Sequence, residues 1–494
     1  MKEKAFKDRA VGWFRAWLPQ AAGLDLRSLA CARIAFGVII LLDLAVRSSA
    51  LKAHYTDLGI MPVEVYHQMG VPFTLSLHAM SGEVRFQAVL FLINALAAVA
   101  LLLGWRTRLA TLVCWIFLIS LHNRNFLLLN GGDTWMRNMF FWAVFLPWGD
   151  RWSYDARSVA KPGNHQVLSS ATAGYCMQIF WVYIMAGMFK TGAAWWHEGS
   201  ATLLTLELAE WTGELAYYGL YYPTLLKYLT FSVLVFELIG PFLFFAPFAN
   251  QHLRIFSILG FFSFHLGLAI FIEIGIFPYV GMIAVCTLLP GLFWNLSPVK
   301  KLEKFLDKLW SFRGLEPPRR RPYYRPGATT NTLLAVVILY VALWNAGSWK
   351  QAWAPAARAQ VPGYLLGFDQ YWGLFAPEPP RNHNWFLAVA TLSDGRQIDL
   401  IRDGKPLHWD KPTSSTIYKN QRWKRMLVSM SNDFGRSTRK PFLRYLYRKW
   451  LPLHPDIQDI ELIRMVQESR LDFEEVPPQK APIERMSREE FLGS

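Results

Sequence analysis

Residues 175–199 read YCMQIFWVYIMAGMFKTGAAWWHEG. The uncharged first part extends an apolar block that begins near Ala171 and stops on Lys190. Such blocks approach the roughly 20 residues that cross a bilayer as a helix. By position alone, Lys190 reads as a lysine snorkelling to the headgroups. A charged amine at the edge of a membrane helix is costly to desolvate without a partner or water. Desolvation also favours the neutral amine, a usable base near neutral pH. Trp195, Glu198 and Gly199 follow directly and draw the reading toward chemistry.

The rest of the chain is built the same way. Of 494 residues, 53% are hydrophobic, with 22 Trp and 35 Phe, and the apolar residues come in blocks rather than stripes. Nine spans are expected, near residues 29–46, 86–103, 109–121, 135–146, 171–189, 225–246, 255–272, 277–294 and 332–346. The third and fourth are short enough to be tilted, re-entrant or interfacial. The fold class expected is therefore a polytopic all-α membrane bundle of about nine transmembrane helices, followed by a small β-rich (α+β) C-terminal domain.

Charge supplies an orientation. The net charge of +15 does not point to nucleic acid, because the basic residues lie mainly between spans. They cluster in the N-terminus, at Arg106 and Arg108, at Arg151, Arg157 and Lys161, at Arg254, and at Lys300, Lys301, Lys304, Lys308 and Arg319–Arg321. The loop after the fifth span is acidic, with Glu198, Glu207, Glu210 and Glu214. An odd number of spans then places the N-terminus in the cytoplasm, and Lys190 and the C-terminal domain outside, in a bacterial inner membrane.

Segments 1–28 lack the short continuous apolar core of a signal peptide and read as a basic amphipathic helix on the membrane surface. Residues 29–298 form the transmembrane domain, 299–331 a basic cytoplasmic linker, and 332–346 the last span. Residues 347–473 form the C-terminal domain. Within it, 385–392, the turn Asp394-Gly395 and 397–400 read as a β-hairpin. Arg422-Trp423-Lys424 and 442–450 read as helical, and 459–466 as a further strand. Residues 474–494, with Pro477, Pro478 and Pro482, read as a disordered tail. Cys31, Cys114, Cys176 and Cys286 all lie in apolar runs without paired spacing, as buried thiols do.

Four constellations hold polar groups where chemistry is plausible. The first is Lys190 with Trp195, Glu198 and Gly199. The second is His265, followed by Gly275-Ile276-Phe277-Pro278-Tyr279, with Glu237 as its partner; a hydrogen-bonded structural histidine is the equal alternative. The third is His122-Asn123-Arg124-Asn125 with Asn130-Gly131-Gly132-Asp133, which either lines a cavity or caps helix ends. The fourth is Arg33 with Asp43, ten residues apart, so that each should meet a group on another helix. The sequence has no HExxH, CxxC, Walker or GxSxG motif, so no metal is expected.

The order of these motifs resembles the membrane family shared by vitamin K-dependent γ-carboxylase and its bacterial relatives, the HTTM (horizontally transferred transmembrane) proteins. Ala30-Cys31-Ala32-Arg33-Ile34-Ala35-Phe36-Gly37 with Asp43 is similar to the family's first helix. Phe145-Leu146-Pro147 with Trp152, Ser153 and Asp155 is similar to the end of its fourth. Ala186-Gly187-Met188-Phe189-Lys190 with Trp195, Glu198 and Gly199 is similar to the segment bearing the carboxylase's catalytic lysine. Phe264-His265 and Ile276-Phe277-Pro278-Tyr279 resemble later core helices. Tyr371-Trp372, Asp394-Gly395 and Arg422-Trp423-Lys424 follow in the order of the lumenal domain. The similarity runs from about Leu29 to about Leu471.

The resemblance implies a lyase-like, quinol-dependent enzyme. Lys190 would be the base toward a reduced naphthoquinone (menaquinol or vitamin K-like). His265 and Asp133 would be further catalytic groups, and Trp195, Glu198, Glu237, Arg33 and Asn130 would bind substrate. The lipid bilayer and a secreted peptide or protein would be the partners. The chain departs from the family at Gly132, which falls at or near the carboxylase's functional histidine and has no side chain to stabilise an oxyanion. The carboxylase's second lysine is replaced by Phe189. Two functions therefore stand side by side: a membrane enzyme acting through Lys190, and a non-enzymatic maturation or scaffold factor for a secreted partner. A transporter is less favoured, because no repeated halves or broken helix pairs are seen.

Overall fold

The computed structural model describes residues 2–70, 73–159, 165–311, 324–469 and 476–493. Lys161, Arg319–Arg321 and Leu471 lie outside the described residues. An N-terminal helix α1 (Lys2–Ala22) leads into the bundle. The bundle consists of α2 (Leu26–Ser48), α3 (Val84–Leu103), α4 (Thr107–Arg124), α5 (Gly131–Ala143), α6 (Ser170–Phe189), α7 (Pro223–Leu243), α8 (Asn250–Phe271) and α9 (Phe277–Cys286). After α10 (Ser297–Leu309) comes α11 (Ala328–Trp349).

Each of the nine expected spans overlaps a helix, but the one expected over 277–294 stops at Cys286. Six of them, α2, α3, α6, α7, α8 and α11, are long and apolar enough to cross a membrane, and they mark a multi-pass membrane protein. The other three are shorter or more polar. α4 ends in His122, Asn123 and Arg124, α5 carries Asp133, Arg137 and Asn138, and α9 has only ten residues.

Contacts between helix ends show that the helices alternate in direction. At one end, Arg33 of α2 reaches the carbonyls of Leu101 and Leu102 at the end of α3 and of Trp148 beyond α5. The N–H of Ser170 at the start of α6 donates to Asn331 of α11. The basic segments gather at this end: Arg27 and Arg151 pair with Glu303 of α10, and Arg254 donates to the carbonyls of Gln20 and Gly23. At the other end, Arg47 of α2 pairs with Asp133 of α5, and the C-terminal domain docks.

That domain carries a five-stranded antiparallel sheet of β1 (Asn382–Leu392), β2 (Gln397–Asp399), β3 (Lys405–Pro406), β4 (Ile457–Glu468) and β5 (Gln479–Ser487), in the order β3-β2-β1-β4-β5. The expected hairpin is β1–β2, with Thr391 opposite Gln397. Helix α13 (Arg439–Trp450) packs on β4 and β5, and α12 (Gln421–Ser431) lies against residues 126–129 of the bundle. The expected disordered tail needs correction, because residues 479–487 form edge strand β5. Pro482 cannot donate to a ladder, but it sits at an edge and at a register shift opposite Ile463, where that is tolerated. Phe491 beyond it stacks on Tyr447 at 4.8 Å.

The expected boundary at residue 347 also moves. Residues 367–374 turn back into the bundle, where Phe368 and Trp372 are fully buried. Arg137 donates to the carbonyls of Gly367 and Asp369 (both 2.9 Å), and Trp344 Nε1 to that of Gln370 (3.2 Å). Irregular backbone at this depth is tolerated where protein buries it and satisfies its polar groups.

Candidate functional site

Lys190 is the residue that ends α6. Its N–H still donates to Gly187 O, but its ψ of 75° takes the chain out of the helix. The side chain turns back along its own helix rather than out to solvent. Nζ donates to Ala186 O (3.2 Å) and to Glu237 Oε2 of α7 (2.6 Å), and lies 4.9 Å from the centre of the Trp195 ring. Lys190 is 3% exposed and Glu237 4%. Trp195 belongs to a short turn, Ala194–Glu198, closed by Gly199 at φ +71°. A Cβ on Gly199 would lie 2.7 Å from Lys227 and 2.8 Å from Phe231, so the left-handed bend and the close approach both require glycine.

The segment entering the C-terminal domain lies against this turn. Trp195 Nε1 donates to Phe375 O (3.0 Å), Gly192 N–H to Pro377 O (3.1 Å) and Ala194 N–H to Glu378 Oε1 (3.1 Å). Glu198 does not face Lys190. Its carboxylate accepts from Ser200 Oγ (2.6 Å) and pairs with Arg381 (3.3 Å), and these contacts hold the carboxyl below its ordinary range.

His265 and Glu237 are not partners. Glu237 is taken by Lys190, and His265 Nε2 meets the hydroxyl of Tyr183 at 2.8 Å. Tyr183 and Lys190 are seven residues apart on α6 and so share a face. Trp135 and Phe277 wall the histidine at 5.7 and 5.5 Å between ring centres, and Tyr183 stacks on Phe261 at 3.7 Å. Among the described residues, His265 Nδ1 has no hydrogen-bond partner. Tyr183 was not singled out from sequence. Its signal was available as the residue one heptad before the lysine.

Asp133, Asn130 and Arg33 fall elsewhere. Asn130 caps α5: its Oδ1 accepts from Gly132 N (2.8 Å), and Asp133 Oδ2 accepts from Asn130 N (2.8 Å). Asp133 also belongs to a fully buried ionic cluster. Arg47 binds Asp43 (2.6 Å), Asp133 (2.7 Å) and the hydroxyl of Tyr55 (2.7 Å). Arg422 of α12 reaches in from the C-terminal domain to Asp43 (2.7 Å), to both oxygens of Asp133 and to Leu128 O. His122 Nε2 stands 3.4 Å from Asp133. The cluster ties α2, α4, α5 and α12 together. Arg33 is spent on four backbone carbonyls, those of Leu101, Leu102, Trp148 and Trp152, at the opposite end of the bundle. Arg33 and Asp43 therefore each meet other helices, as their spacing requires.

Gly132 packs against the start of α9. A Cβ there would lie 2.5 Å from Phe277 N and 2.7 Å from its Cα, so the backbone leaves no space for a side chain. No group of His, Cys, Asp and Glu suited to a metal occurs among the described residues. The four cysteines are free.

Residues 22–294 match the HTTM domain family. The match covers more than half of the chain, which therefore belongs to that family. No curated protein and no solved structure matches the chain.

Proposed function

We propose that this HTTM protein is a membrane enzyme that moves a proton at a lipophilic substrate, with Lys190 as the base and Glu237 as the group that exchanges its proton. The observation that carries this reading is the buried 2.6 Å contact between Lys190 Nζ and Glu237 Oε2. A snorkelling lysine would reach water, whereas this one turns into the bundle. A general base must be neutral when it acts and within hydrogen-bond reach of the proton it takes. Passing a proton across the 2.6 Å contact converts ammonium and carboxylate into amine and acid without moving net charge through the bilayer. Trp195, Leu204 and Leu234, with Phe375 packed against them, make an apolar wall at this point.

These residues fit a reduced naphthoquinone in kind, since sites for such ligands are apolar with few polar groups. A bound quinol would supply an ionisable hydroxyl on an oxidisable ring. Lys190 would hold the proton, Trp195 would keep water from the amine, and the Tyr183–His265 pair would offer a second donor and acceptor on the same helix face. The basic end of the bundle is read as cytoplasmic and the C-terminal domain as outside, in a bacterial inner membrane. The segment 375–378 beside Trp195 would then present an exported peptide to the site, as the carboxylase resemblance suggests.

The test uses the full chain in nanodiscs with a reduced naphthoquinone and oxygen, and measures quinone epoxide by chromatography. Wild type should form epoxide and Lys190→Ala should not. Equal epoxide from a folded Lys190→Ala protein would refute the reading. A second reading, a non-enzymatic maturation factor for a secreted partner, is favoured by the closed packing at Gly132. It expects a partner to co-purify equally with wild type and Lys190→Ala.

A further inference from the structure

Halfway along the bundle, the inserted segment 367–374 brings a third amide to two that α5 and α6 already place there. Gln370 Oε1 accepts from Gln178 Nε2 (2.6 Å), Trp372 Nε1 (3.0 Å) and Asn138 Nδ2 (3.3 Å). The indole of Trp372 can only donate, which fixes the end of the Gln370 amide that faces it. Gln178 and Asn138 must then both turn their NH₂ groups toward the same oxygen. Gln370 Nε2, Gln178 Oε1 and Asn138 Oδ1 are left with no partner among the described residues, in side chains no more than 4% exposed. Turning all three amides over does not close the set, because it strands the Trp372 N–H instead. The indole N–H groups of Trp135 and Trp142 are also buried without partners, three and four residues from Asn138 on one face of α5.

We infer that this cluster is a bound-water site in the middle of the bundle, its waters held by Gln178, Asn138 and Gln370. Unpaired amides are costly in an apolar interior, and buried waters occur where several such groups converge. The open amide atoms are two acceptors and one NH₂ donor with no net charge, which suits a small neutral molecule that both donates and accepts. The neighbouring guanidinium of Arg137 is already bound to Gly367 O and Asp369. Trp135 touches Trp372 on one side and Tyr183 and His265 on the other (6.3, 5.7 and 5.7 Å between ring centres), so the waters back onto the Tyr183–His265 pair. The inference does not depend on the proposed enzyme activity.

X-ray hydroxyl-radical footprinting of the full chain in nanodiscs tests it, because radicals formed from bound water oxidise the side chains beside it. Trp148 is the internal control: it is 1% exposed, and its indole is satisfied by Thr111 Oγ1 at 3.0 Å. Trp135, Trp142 and Trp372 should oxidise several-fold faster than Trp148. A Gln178→Leu, Asn138→Leu protein that folds should lose that excess. Oxidation of the three wild-type tryptophans at the Trp148 rate would overturn the inference, and this comparison needs no variant. An unchanged excess in the folded double variant would overturn it as well.

Discussion

Replacing Arg422 by methionine removes one charge from a cluster that is balanced as it stands. Two carboxylates, Asp43 and Asp133, face two guanidinium groups, Arg47 and Arg422, and all four are buried. In the variant, Arg47 alone would face both carboxylates, leaving one buried negative charge uncompensated. Breaking a buried pair in this way typically costs about 3–5 kcal/mol. The loss falls on the contact between α12 and the bundle, because Arg422 is the residue of α12 that enters it. At about 1.4 kcal/mol per tenfold, amide protection of α12 should drop by about 10²- to 10⁴-fold if local opening dominates exchange. Hydrogen exchange of the full chain in nanodiscs, read on residues 421–431, measures this. The double variant Arg422→Met, Asp133→Asn leaves Arg47 and Asp43 as a balanced pair and should recover part of the protection. Protection within tenfold of wild type in Arg422→Met, or strictly additive effects in the double variant, would refute the reasoning.

Gly132→His should destabilise the protein rather than restore carboxylase-like chemistry, because its Cβ meets the backbone of Phe277 at 2.5 Å; the thermal midpoint and the epoxide yield report both outcomes. Glu237→Leu should lower the thermal midpoint more than Glu237→Leu with Lys190→Met, since the single change strands a buried amine and the double change does not. Burial pushes the Glu210 carboxyl up from 4.5 to about 7, so its stabilising effect is full at acid pH and is lost as pH rises through about 7; Glu210→Gln should remove that loss, read as exchange in residues 207–215 against pH. Burial pushes the His383 imidazole down from 6.5 to about 4, so its contribution is present above pH 6.5 and is lost as pH falls through about 4; His383→Gln should reduce acid sensitivity in β1.

The long helices were legible because each is a largely apolar block, and the β1–β2 hairpin because Asp394-Gly395 separates the apolar run 385–392 from the alternating residues 397–400. The insertion of residues 367–374 was not. Gly367, Asp369, Gln370 and Gly373 read locally as a loop, and their burial depends on Arg137, Asn138 and Gln178 on other helices. Those three polar residues inside apolar runs were the available signal, since a membrane helix carries such groups only where something meets them. Strand β5 was hidden for a related reason. Its residues are mostly polar and include Pro482, and their partners, the edge of β4 and Tyr447 of α13, are distant in sequence. The pairing of Lys190 with Glu237 rather than Glu237 with His265 depends on the lysine stem folding back by one turn, which spacing along the sequence does not encode.

What separates Lys190 from Asp43, Asp133 and Arg33 is saturation rather than burial. Both oxygens of Asp43 and of Asp133 accept from guanidinium groups, Asp133 also caps α5, and Arg33 commits four of its five N–H donors to carbonyls. Groups so engaged hold helices together and have little left to offer a substrate. Lys190 spends one donor on Ala186 O and one on Glu237, which leaves the third against the face of Trp195. His265 keeps Nδ1 open beside Tyr183. The same contrast bears on the second reading of function. A C-terminal domain fixed by Arg422, by the inserted segment and by the contacts of residues 375–378 with Trp195 is not free to swing as an independent binding module. A secreted partner would have to meet it in place, beside Lys190. Partner binding that persists after the domain is cut from the bundle would contradict this, whereas binding lost on that cut but kept in Lys190→Ala would assign the partner to the composite surface.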